Sequence, residues 1–86
     1  TGIDLAAPRN TTVVASAPGV VTSAKLKGRW GNLVTISHGG GYKTRYAHME
    51  KICVEEGEKV RRGQEIGSVG TTGVTTGPHL HFEIIQ

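Results

Sequence analysis

No stretch of this chain sustains a helical period. Thirteen glycines cut its 86 residues into short runs. Those runs are rich in Val, Ile and Thr, side chains that fit a pleated strand better than a helix. Strands are expected over residues 12–16, 20–26, 32–38, 42–48, 59–62, 64–69 and 80–85. Pro18-Gly19 supplies a turn signal, and Gly39-Gly40-Gly41 reads as the connection of a hairpin. By alternation Tyr42, Thr44, Tyr46 and His48 are expected on one face of their strand. No linker, low-complexity tract or second domain interrupts the pattern. The expected class is all-β, one small domain over residues 1–86, with the sheet curled on itself.

Chemistry concentrates near the C-terminus, where residues 79–81 read His-Leu-His. On a strand alternate side chains share a face, so His79 and His81 project together and Leu80 and Phe82 project away. Neutral imidazole is both the commonest metal ligand and the usual general base near neutral pH. Two surface histidines at this spacing are ordinary, so the tripeptide needs company before it means a site. Asp4, in Thr1-Gly2-Ile3-Asp4-Leu5, and His48, in Tyr46-Ala47-His48-Met49, supply it. Each also has a plain structural reading. Asp4 could serve a turn, and His48 could place a ring nitrogen on a backbone carbonyl. Three separate segments each carrying a polar group of the required type favour a site.

These segments, with the Gly77-Pro78-His79-Leu80-His81 run and the stretch 57–70, resemble the lysostaphin-type (LytM) zinc endopeptidases of bacterial cell walls. The likeness covers nearly the whole chain, with the motifs in the same order. It implies an antiparallel β-sheet bearing a groove, of the barrel-sandwich hybrid (duplicated hybrid motif) type. It implies zinc as cofactor, with Asp4 and His81 as ligands. A third ligand, a His immediately before Thr1, is outside these residues, so the chain is expected to be an N-terminally truncated piece, inactive by itself. The resemblance gives His79 the role of general base and His48 that of a second catalytic histidine, steadying the oxyanion or orienting water. Tyr42, Tyr46 and Thr76 are candidates to border the substrate groove; core packing fits Tyr46 equally well, and an ordinary Thr-rich turn is the plainer reading of Thr76. His38 is expected to be structural. Glu83 alternates onto the face of His79 and His81 and is a candidate to orient one of them.

The implied substrate is peptidoglycan, cut at a cross-link or stem-peptide amide, and the implied location is extracytoplasmic: periplasm, cell wall or secreted. Flanking wall-binding domains are compatible with this. The formal charge of +3 suits an anionic envelope polymer. Nucleic acid is not expected as a partner, because the few aromatic residues do not interleave with a basic stripe. No apolar run reaches transmembrane length. Cys53 is the only cysteine, so an internal disulfide is excluded.

The rival reading from another class is a catalytically inactive domain of the same fold that regulates a cell-wall amidase. A lipoyl- or biotinyl-type carrier shares the glycine-rich strand pattern of 57–70. It needs a modifiable lysine at a hairpin tip, a setting that Lys43 and Lys59 lack.

Overall fold

The computed structural model describes residues 2–73, 75 and 77–86. Among the described residues eight strands form one antiparallel sheet: β1 (Gly2–Ala6), β2 (Thr12–Val14), β3 (Gly19–Leu26), β4 (Asn32–Ser37), β5 (Lys43–Ile52), β6 (Lys59–Val60), β7 (Glu65–Val69) and β8 (His79–Ile85). Among the described residues the only helical turn is a 3-10 segment, Gly28–Trp30. The strand order is β1-β8-β5-β4-β3-β6, and β7 pairs with β5 and carries β2. The sheet wraps one core without closing.

Apolar alternation builds that core. Val13, Val21, Val34, Ile36, Tyr46, Met49, Val60, Ile66 and Val69 come from six strands and pack together, with Leu80 and Phe82 against them. β5 organises the sheet because it has three partners. β4 runs along one side, while the other side pairs with β8 over Lys43–Ala47 and with β7 over Met49–Ile52.

The switch of partners on β5 corrects one expectation. Asn32 faces Met49 while Val34 faces Tyr46, so β5 carries an extra residue there. His48 sits in this bulge with φ +62°, a left-handed conformation uncommon outside glycine. The extra residue breaks the two-residue period. Thr44 and Tyr46 keep the core face, and His48 turns to the face of His79 and His81.

Tyr46 is therefore a core residue rather than a groove residue. It is 1% exposed. Its hydroxyl takes the Ser16 N–H at 3.0 Å and lies 2.9 Å from Ser16 Oγ and 3.0 Å from Thr44 Oγ1. Tyr46→Phe keeps the packing and removes this hub. The expected cost is about 1 kcal/mol, the net worth of an intramolecular hydrogen bond. Denaturant titration should show a lower unfolding midpoint.

β1 is a strand that the sequence pattern did not offer. All five of its residues are exposed, so burial leaves no alternating signature. Its pairing with β8 is nonetheless what builds the site. Asp4 stands directly opposite His81, and Gly2 opposite Glu83. Cross-strand partners of this kind hold their Cβ atoms about 5 Å apart.

Candidate metal and catalytic site

Three strands meet at one patch: β1 supplies Asp4, β8 supplies His79 and His81, and the β5 bulge supplies His48. The His48 ring centroid lies 5.0 Å from that of His79 and 6.3 Å from that of His81. His48 is buried, the other two rings are partly exposed, and the Asp4 side chain is open to solvent. Arg29, Trp30, His48 and His81 line a cavity of about 360 Å³ above the patch.

Hydrogen bonds separate the three imidazoles by role. The Nδ1–H of His48 donates to the Thr72 carbonyl at 2.7 Å. The Nδ1–H of His79 points at the Gly77 carbonyl and Thr75 Oγ1, both at 2.9 Å. A neutral imidazole carries one N–H, so both rings keep an unprotonated Nε2. That of His79 faces the patch, 3.7 Å from Asp4 Oδ1. His81 is turned the other way, its Nδ1 donating to Asp4 Oδ1 at 2.6 Å. This bond holds the Asp4 carboxyl below its ordinary value; burial opposes it in part, and the nearby charges of His81, His79 and His48 add to it.

Behind His81 stand groups that hold its ring. Glu83 Oε2 is 3.7 Å from His81 Nε2, and Arg45 Nη1 contacts Glu83 Oε1 at 3.5 Å. The Arg45 guanidinium also stacks over Trp30 at 5.4 Å, and Trp30 lies 5.7 Å from the His81 ring. Gly2 leaves room for this ring: a Cβ there would come within 2.7 Å of His81 Cε1 and push the imidazole aside.

The donor chemistry suits a divalent metal of zinc's type. Asp4 offers a carboxylate oxygen, and His81 offers Nδ1 once its proton is displaced, to a solvent-open position. Among the described residues no three His, Cys, Asp or Glu side chains form a complete ligand set.

Of the expected groove residues, Tyr46 lies in the core. Tyr42 stacks on His38 at 4.9 Å. Ala47 stands opposite His81, which puts Tyr42 about 17 Å away along the strand at about 3.4 Å per residue. Tyr42 therefore does not border this patch. Thr76 lies outside the described residues. His38 is held between the Pro18 carbonyl and Thr44 Oγ1, both at 2.6 Å, in a structural role. Sequence reasoning passed over Trp30, Arg29, Arg45 and Thr72. Only Trp30, the sole tryptophan, set in a glycine-flanked turn, carried a readable signal.

In sequence and fold the chain is similar to known peptidases. The chain is 51% identical over 84 residues to the peptidoglycan DD-endopeptidase ShyA of Vibrio cholerae, which covers 98% of this chain and 20% of that protein. The chain thus spans about a fifth of the length of the curated relatives it matches. A zinc-containing peptidase from Vibrio cholerae superposes with a TM-score of 0.94 at 44% identity, over 98% of this chain and 26% of that one. The catalytic domain of the antimicrobial peptidase lysostaphin from Staphylococcus simulans gives 0.95 at 34% identity, over 98% and 65%. The model of peptidase family M23 matches residues 1–86. On both sequence and fold, this chain belongs to peptidase family M23.

Proposed function

We propose that this chain forms the catalytic part of a zinc-dependent endopeptidase that hydrolyses peptide cross-links or stem-peptide amides of peptidoglycan, acting outside the cytoplasm. The observation that carries the reading is the opposed setting of the imidazoles. His48 and His79 are anchored through Nδ1 and keep Nε2 unprotonated, while His81 turns Nδ1 to Asp4. Relatives named as peptidoglycan endopeptidases support the substrate class. Among the described residues no helix is long and apolar enough to cross a membrane.

In this proposal Asp4 Oδ1 and His81 Nδ1 hold the metal, with a His immediately before Thr1 as third ligand. The residue encoded at that place is the simplest check. Zinc bound there would acidify a water and polarise the scissile carbonyl. To bind through Nδ1, His81 would carry its one proton on Nε2 instead, on the side of Glu83 Oε2 at 3.7 Å. His79 Nε2 takes the proton of the attacking water and returns it to the leaving amine. His48 Nε2 accepts a hydrogen bond that orients the water. Trp30 and Arg29 form the wall past which the peptide enters.

End-group analysis of purified peptidoglycan, digested by a chain that includes the upstream His, tests the proposal. New amino groups without new reducing sugar ends are expected. Release should fall in acid, because protonated imidazoles neither bind metal nor accept a proton. Asp4 does not set this limit, since its pKa is lowered and it stays ionised well into acid. Reducing ends without amines would mean glycan cleavage. Neither product, from protein carrying zinc, would favour the inactive regulatory domain.

A further inference from the structure

The general problem at His48 is that a free imidazole interconverts between two tautomers and can rotate about its χ2 bond. A base or water-orienting group needs one of those states held. The carbonyl that holds it here belongs to Thr72, and Thr72 is itself fastened to the strand that carries His48. Its Oγ1–H donates to the Met49 carbonyl at 2.6 Å, one residue beyond His48. The same oxygen accepts the Asn32 N–H at 3.0 Å. The Asn32 side-chain amide donates in turn to the Met49 carbonyl at 3.0 Å and to the Glu50 carbonyl at 3.3 Å. The hydroxyl thus ties the loop to both strands at the register shift where β5 bulges.

Backbone contact closes the arrangement from the other side. Gly31, at φ +66°, ends the 3-10 turn that carries Trp30, and a Cβ on it would overlap the Thr72 backbone. The turn that walls the cavity and the loop that holds His48 therefore press on each other without side chains between them.

We infer that Thr72 is a positioning residue: its hydroxyl pins the 71–73 segment to the β5 bulge so that its carbonyl locks His48 in the Nδ1–H tautomer with Nε2 unprotonated. The catalytic consequence rests on the proposed peptidase reading, but the tautomer does not. Removing the hydroxyl frees the carbonyl to move, and the imidazole then populates the other tautomer or a flipped ring.

The test uses the chain with its upstream His, loaded with zinc, and the variants Thr72→Val and Thr72→Ser. Long-range ¹⁵N–¹H correlation spectra identify which ring nitrogen of His48 bears hydrogen, independently of turnover. The parent and Thr72→Ser should show the Nδ1–H form. Thr72→Val should show a mixture or the Nε2–H form, with zinc content unchanged. Its kcat should fall about 10- to 100-fold, the scale of a misplaced catalytic group, with KM nearly constant. An Nε2–H His48 in the parent protein overturns the inference whatever the variants do. So does a folded Thr72→Val that keeps the Nδ1–H form and full kcat. Failure of the parent to release amines from peptidoglycan would overturn the peptidase reading instead, and the spectra would still decide the role of Thr72.

Discussion

Replacing His81 by Ala should abolish zinc binding and hydrolysis together. The expected loss of metal affinity exceeds the roughly 10- to 100-fold that removal of an outer supporting group costs, because a donor atom itself is lost. The argument is geometric. Among the described residues His81 is the imidazole whose Nδ1 meets Asp4, at 2.6 Å, whereas His79 approaches Asp4 only at 3.7 Å and through Nε2. That contact lowers the Asp4 pKa, so an anionic oxygen and a ring nitrogen already stand side by side. Elemental analysis after dialysis, on a chain with the upstream His, gives the readout. About one zinc per parent chain and almost none in His81→Ala is expected. Full zinc content in the variant would mean that His81 is not a ligand.

The elements that put these groups together were unequally legible. Seven strands could be read because β-branched and aromatic residues cluster in short runs between glycine and proline turn signals. Their ends were less secure: β5 runs on to Ile52, and β6 stops at Val60. β1 could not be read, since an exposed edge strand of Gly, Ile, Asp, Leu and Ala leaves no burial pattern. Yet β1 is the strand that delivers Asp4. The His-Leu-His parity held because β8 is regular through that stretch. Parity failed on β5, where one extra residue at His48 rotated the imidazole away from Tyr46. A bulge depends on how two distant strands fit together, and Tyr46-Ala47-His48-Met49 contains no glycine to announce it. The same limit hid Thr72. Its two tethers run to Asn32 and Met49, 40 and 23 residues away. Contacts of that range appear only when the sheet has formed.

The second large effect is expected at His79 and His48, the histidines proposed to act as base and water-orienting group. His79→Ala should keep about the parent zinc content and lose about 10²- to 10⁴-fold in kcat, the range that a positioned acid-base group contributes. Its Nδ1–H is engaged by the Gly77 carbonyl and Thr75 Oγ1. The Nε2 that remains is a base 3.7 Å from Asp4 Oδ1, close to where a metal and its water would sit. Neither role can be filled by solvent in the same geometry. His48→Ala should have an effect of the same kind, because its Nδ1 is also tied to a carbonyl, that of Thr72. If the two rings handle one proton in succession, the double variant should cost little more than either single one. Groups acting as a unit are strongly non-additive. Independent roles would instead make the two losses multiply. Zinc analysis of the same variants guards the assignment. Should His79→Ala strip the metal while His81→Ala keeps it, ligand and base exchange places. The 2.6 Å contact would then be an ordinary carboxylate–imidazole hydrogen bond with no place at the metal.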